Sequence, residues 1–279
     1  MDPRIITVAP TGAWPTKKEN PNVPITPQEI ADDVFACHRA GAAICHLHMR
    51  DDYGIPTMSA ARFEETVRLI KRSGIDIIIN LSTSGGLDAT DENRQSHIRT
   101  IRPEMASYNA GTMNWMHRFV FLNTPDFMEA LGRTMLECAI KPEVEIFDAG
   151  MVYNAEHYLK QGVLKAPVHY QLVLGAAGGM KATVDNLLFL KNLLPEEATW
   201  SAFGIGRAHL PIMLATLALG GHLRVGMEDN VYFAAGELAE SNAQFVTRAA
   251  ALIEGAGMKV ATPAEAREIL GLERICNFA

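Results

Sequence analysis

Positive charge, paired cysteines and long apolar runs are all scarce in this sequence of 279 residues. Lysine and arginine number 25 against 32 aspartate and glutamate, a formal net charge of -7. That balance argues against nucleic acid or an anionic membrane surface as the main partner, while leaving room for one basic pocket. The cysteines are Cys37, Cys45, Cys138 and Cys276, with no C-x-x-C spacing. They fit buried structural roles in a reducing, cytoplasmic setting better than a disulfide framework. No uninterrupted apolar stretch approaches the ~18 residues of a membrane span. Met1-Asp2-Pro3-Arg4 opens no secretory pattern. Low-complexity tracts and linkers are missing too, so one large globular domain over residues 1–279 is expected.

What is present is a recurring alternation of strand and helix. Apolar, β-branched runs predict strands at 5–10, 42–49, 75–81, 105–110, 143–147, 168–174, 199–203 and 222–227. Helical patterns fall at 26–41, 60–72, 125–139, 154–160, 183–193, 210–219 and 242–254. Thr26-Pro27-Gln28-Glu29 and Thr262-Pro263-Ala264-Glu265 both read as capped helix starts, the second opening a C-terminal helical extension. Roughly eight strand-to-helix units point to an α/β fold, a single (β/α)8 TIM barrel. The competing doubly wound sheet is disfavoured, because no G-x-G-x-x-G follows the first strand.

The chemistry gathers at expected strand ends, where barrels place their active sites. In Cys45-His46-Leu47-His48-Met49-Arg50, alternation turns His46 and His48 to one face and Cys45 away. Two such imidazoles suit a divalent metal, although a hydrogen-bonded pair at a loop mouth is the simpler reading until a third ligand is found. Strand eight ends in Glu228 and Asp229, with Arg224 four residues earlier. Either acid could complete a His-His-carboxylate set and the other serve as base; a solvated turn is the alternative. Ser82 and Thr83 could donate to a substrate carboxylate or simply cap a turn. Ser107 and Asn109 stand at the fourth strand's end. Gly204-Ile205-Gly206-Arg207 follows the seventh strand, where barrels commonly hold phosphate.

Ile44-Cys45-His46-Leu47-His48-Met49-Arg50, Asn80-Leu81-Ser82-Thr83, Lys141-Pro142-Glu143-Val144-Glu145, Gly204-Ile205-Gly206-Arg207 and the run from Gly221 to Asn230 together resemble the β-keto acid cleavage enzymes. The resemblance runs nearly end to end. It implies a zinc-dependent TIM barrel, usually tetrameric, that condenses a β-keto acid with acetyl-CoA and releases acetoacetate and a new acyl-CoA. It further implies His46, His48 and Glu228 as zinc ligands, Asp229 as base and Arg224 as the group positioning it. Ser82, Ser107, Gly85 and Gly86 become substrate-holding groups, with Thr83 and Asn109 beside them; Gly206 and Arg207 are expected to meet the CoA. Where the family's type member pairs a glutamate with its substrate's ammonium, this sequence has Trp14. An indole suits an apolar tail, or a quaternary ammonium through a cation–π contact. Two other readings carry a metal: an amidohydrolase-type barrel, and a metal-binding protein with no catalysis. The amidohydrolase pattern puts H-x-H on the first strand and more histidines on strands five and six.

Overall fold

The computed structural model describes residues 2–86 and 88–272; Cys276 lies outside them. Eight parallel strands close into a barrel in chain order: β1 (Ile6–Val8), β2 (Ile44–Leu47), β3 (Ile78–Leu81), β4 (Met105–Asn109), β5 (Lys141–Ile146), β6 (His169–Leu174), β7 (Thr199–Gly204) and β8 (His222–Val225). β8 pairs with β1 through Leu223–Ile6, Arg224–Thr7 and Val225–Val8, and β1 pairs with β2, so the ring is complete. Each strand is followed by a helix: α1 (Pro27–Arg39), α2 (Ala60–Arg72), α3 (Asn93–Ile101), α4 (Pro125–Glu137), α5 (Ala149–Lys160), α6 (Val184–Leu193), α7 (His209–Ala218) and α8 (Asn242–Gly255). The TIM barrel expected from the alternation is therefore present.

Local sequence accounts for the helix starts. Thr26 accepts from the Glu29 amide while the Glu29 carboxylate accepts from the Thr26 amide, with Pro27 at the first helical position. Such a cap stabilises the helix by about 1 kcal/mol. The same box, Thr262 with Glu265, opens α9 (Pro263–Leu270). α9 packs Ala266 and Leu270 against Ile44, Ile78 and Met105 in an apolar cluster separate from the main strand–helix core. Arg267 secures it, with Nη1 and Nη2 each 2.9 Å from Asp76 and Nε 2.5 Å from Glu104. The extension is thus a floor under the N-terminal ends of β2, β3 and β4.

Two helices differ from expectation. α5 begins at Ala149, five residues earlier than expected, because Asp148 caps it by accepting from the Met151 amide. α3 was not expected at all. Its buried residues include Arg94, Gln95 and His97, so its inner face lacks the apolar stripe that marks a helix in sequence. Several strands are also shorter than their apolar runs. After Leu47 the chain leaves the barrel, and Met49–Arg50 pairs with Pro56–Thr57 instead. Cys37 and Cys45 are buried, as expected, but Cys138 is only half-buried. Among the described residues no helix is long and apolar enough to cross a membrane.

Candidate metal centre and active site

Strand register brings the two histidines and the last-strand acids to one mouth. His46 pairs with Asn80 of β3, one residue before the β2 ladder ends, and His48 follows two residues on with ring centroids 5.2 Å apart. On the other side of β1, the chain turns sharply after Val225. Gly226 has φ +141°, and a Cβ there would lie 2.1 Å from the Ala9 carbonyl oxygen, so only glycine fits. The turn is braced by Glu228 N donating to Ala9 O and Met227 N donating to Asn242 Oδ1. Gly12, at φ +64°, lets the first loop lie directly against Glu228.

Glu228 Oε1 is 3.4 Å from His48 Nε2 and 3.8 Å from His46 Nε2. One ligand atom from each of the three residues lies within 4.8 Å of the others. Two ligands ~2.0–2.1 Å from a shared tetrahedral centre stand about 3.4 Å apart, so the set is close to the span a zinc-like ion needs. His46 Nε2 and one oxygen of Glu228 are buried without a hydrogen-bond partner, a cost that a metal would remove. Burial and the nearby Arg224 charge push the His46 pKa down, keeping the imidazole in the neutral form a metal requires.

A second grouping, His46 with Glu143 and Glu145, also comes within ligand range. His46 Nδ1 is 3.2 Å from Glu143 Oε1. With Nε2 facing Glu228, Glu143 stands where a carboxylate would orient His46 through its other nitrogen were Nε2 to hold a metal. Glu143 is a residue that spacing alone did not single out. Glu143 and Glu145 are inward acids at alternate positions of β5, and that alternation was the available signal.

Arg224 organises the remaining charges. Its Nε is 3.0 Å from Asp229 Oδ2 and its Nη2 3.1 Å from Asp229 Oδ1 and 2.6 Å from Glu228 Oε1. Nη1 lies 3.4 Å from Glu145, and the guanidinium sits 4.5 Å from the Phe203 ring. Burial pushes Glu145 up to about 8. Burial and the adjacent Glu228 charge raise Asp229 to about 6 against the pull of Arg224. Burial would also raise Glu228, but His48 and Arg224 hold it well below the usual carboxylate range. Glu143, Glu145, Glu228 and Asp229 all lie within 3.9 Å of the one guanidinium, an excess of acid that a dication would help to balance.

The other expected residues divide. Ser82, Thr83 and Asn109 are buried at or just past the ends of β3 and β4, and Ser107 is buried in the middle of β4. Thr83 is spent on Ser107, its amide donating to Ser107 Oγ at 3.0 Å and its hydroxyl to Ser107 O at 2.8 Å. Ser82 Oγ meets Ser84 Oγ at 2.8 Å, and Asn109 Nδ2 is buried and unpaired. Arg94 and His97 of α3 hold this segment from behind, bonding Thr83 O at 2.7 Å and Ser82 O at 2.9 Å. Gly85 and Gly86 follow in the same loop, with Gly85 at φ +69°. Gly206 and Arg207 lie in a short 3₁₀ turn after β7, where the Gly206 amide donates to Asp229 O at 3.1 Å. Arg50 is buried and braces the loops through the carbonyls of Gly12, Gly54 and Pro15. Trp14 stacks near Trp115 and Phe119.

H-x-H stands on the second strand, and His169 lies at the N-terminal end of the sixth, bonded to Thr199 and Ser201. Neither matches the amidohydrolase pattern. A family profile described as beta-keto acid cleavage enzyme matches residues 3–272. The 3-keto-5-aminohexanoate cleavage enzyme of Fusobacterium nucleatum is 40% identical over 98% of this chain and 100% of its own. The 3-oxoadipate:acetyl-CoA acetyltransferase of Cupriavidus necator is also 40% identical, over 97% and 95%. The 3-dehydrocarnitine:acetyl-CoA trimethylamine transferase of Rhizobium meliloti is 33% identical over 96% of each chain. Among solved structures, apo ObcA superposes with a TM-score of 0.82 at 22% identity, over 90% of this chain and 66% of that one, a likeness of fold. This chain belongs to the beta-keto acid cleavage enzyme family.

Proposed function

We propose that the enzyme condenses a β-keto acid with acetyl-CoA, giving acetoacetate and a new acyl-CoA, with zinc held by His46, His48 and Glu228. The observation that carries this is the convergence of those three ligands within 4.8 Å beside an Asp229 held at both oxygens by Arg224. The acetyl-CoA named in two of the relatives supports the co-substrate.

When bound, the dication supplies Lewis acidity that polarises a carbonyl oxygen. Asp229 removes a proton from the carbon between ketone and carboxylate. Arg224 fixes the direction of that carboxylate and holds it ionised. Ser82, Asn109 and the Gly85-Gly86 turn hold the substrate's carboxylate, while Thr83 and Ser107 set their frame. The resulting carbanion attacks the thioester carbon and expels the CoA thiolate. The thiolate then adds to the former ketone carbon, the carbon–carbon bond breaks, and Asp229 returns its proton to the departing acetoacetate. Gly206 commits its amide to the Asp229 carbonyl, which leaves the exposed Arg207 side chain to meet the CoA phosphates. The assembly is a homotetramer by the resemblance, and the acidic charge and scattered cysteines suit a cytoplasmic enzyme with no nucleic acid or membrane partner.

The test is a panel of β-keto acids with acetyl-CoA, scored for acetoacetate. Asp229→Asn should lower kcat by about 10²–10⁴-fold with zinc content unchanged by elemental analysis. Near wild-type turnover would remove Asp229 as base, and no acetoacetate from any acid would remove the reaction.

A further inference from the structure

We propose that an aromatic hairpin laid across the barrel mouth makes this enzyme selective for β-keto acids carrying a long, uncharged apolar substituent beyond the ketone. The proposal rests on the reaction assigned above and names its substrate class. After β4, Met113–Trp115 pairs with Phe119–Phe121 as an antiparallel hairpin. Met116 N donates to Ala177 O at 2.8 Å, tying the hairpin to the loop after β6. Trp115 meets Phe147, just past β5, edge-on at 5.8 Å. From there the hairpin reaches Trp14 in the loop after β1, three strands round the ring from β4. Trp14 and Trp115 have centroids 6.3 Å apart with planes 20° apart, and Trp14 and Phe119 6.1 Å with planes 24° apart.

The wall is continuous with the metal centre. Gly12 lies against Glu228, and Arg50, two residues beyond His48, holds the carbonyls of Gly12 and Pro15 on either side of Trp14. Yet these rings are not core: Trp14 is 46% exposed and Phe119 39%. Aromatic surface left open at the rim of a polar pocket marks where the apolar part of a ligand is covered. Rings alone would also accept a quaternary ammonium. The charges on the same two segments argue otherwise. Lys17 is paired with Glu29 and the Glu19 carboxylate offsets Lys18, which leaves Arg118 as the charge that no acid on these two segments balances. A cationic tail would meet like charge there, whereas a hydrocarbon chain meets carbon.

The experiment measures kcat/KM of the metal-loaded enzyme with acetyl-CoA for 3-oxopentanoate, 3-oxohexanoate, 3-oxooctanoate, 5-phenyl-3-oxopentanoate and 4-trimethylammonio-3-oxobutanoate. Each added methylene should raise kcat/KM by about fourfold, the equivalent of ~0.8 kcal/mol per buried CH2. Trp115→Leu and Phe119→Ala should each reduce the 3-oxooctanoate to 3-oxopentanoate ratio several-fold; Phe119, with its exposed ring, serves if Trp115→Leu fails to fold. A flat chain-length series, a preference for the quaternary ammonium, or unchanged ratios in the variants would overturn the selectivity while leaving the reaction standing. Turnover of none of the five would overturn the selectivity, and only failure across the wider β-keto acid panel as well would overturn the reaction.

Discussion

Gly12 and Gly271 share almost the same left-handed backbone, φ +64° and +63°, but differ in what a side chain would meet. Alanine in that conformation costs about 1–2 kcal/mol at either place. At Gly271, just past α9, nothing lies within 4 Å of the added Cβ. Gly271→Ala should therefore lose only a few degrees of Tm, roughly 2–4 °C per kcal/mol for a chain of this size. At Gly12 the added Cβ would stand 2.5 Å from Glu228 Cγ, 3.0 Å from its Cβ and 3.2 Å from its Cα. Ordinary carbon contacts lie at about 3.5–4.0 Å, so Glu228 must retreat by about 1 Å. Misplacing a reacting group by that much costs about 10²-fold in rate. Gly12→Ala should thus show the Tm loss of Gly271→Ala or more, together with weakened zinc retention through gel filtration and a fall of about 10²-fold in kcat/KM. Calorimetry, elemental analysis and the acetoacetate assay on both variants separate the effects. If Gly12→Ala kept its metal and its activity at the level of Gly271→Ala, Glu228 would not be where the chemistry is held.

Glu143→Gln should weaken zinc affinity about 10–100-fold by loosening the orientation of His46, read by competition with a chelating dye; unchanged affinity would deny it that role. Arg224→Met should destabilise the fold by about 3–5 kcal/mol, because Glu228 and Asp229 lose their buried cation; denaturant unfolding with metal removed reports it, and a loss below about 1 kcal/mol would refute the charge argument. His169 is buried at the barrel's lower end and its pKa is depressed to about 4 by burial. The unfolded imidazole titrates near 6.5, so unfolding takes up a proton between these values. Its contribution is present above pH 6.5 and is lost as pH falls toward 4, with a slope of up to about 1.4 kcal/mol per pH unit. Urea midpoints of His169→Gln should accordingly fall less steeply than wild type between pH 6.5 and 4.5, and parallel slopes would contradict this.

The barrel and the shared facing of His46 and His48 were legible in sequence because each obeys a short-range rule. Apolar runs at regular spacing give strands, and alternation turns His46 and His48 together. α3 escaped because its inward residues Arg94 and His97 are polar, serving the Ser82-Thr83 loop. The aromatic hairpin escaped for a different reason. Its strands are three residues each, and what orders them is contact with Phe147, Ala177 and Trp14, residues distant in the chain. Glu143 was visible as a charged residue in a strand, but its value depends on standing across the barrel from His46, a relation set by closure of the ring.

α9 occupies the far end of the barrel from the catalytic mouth, yet it bears on the chemistry from beneath. Ala266 and Leu270 stopper the drum against Ile44, Ile78 and Met105; Ile44 and Ile78 lie two residues before His46 and Asn80 on β2 and β3. Water kept out from that side leaves the arginine–carboxylate cluster in a medium of low polarisability, where each charge acts with greater force. A chain shortened before Pro263 would keep every catalytic side chain and still dilute the field they work in.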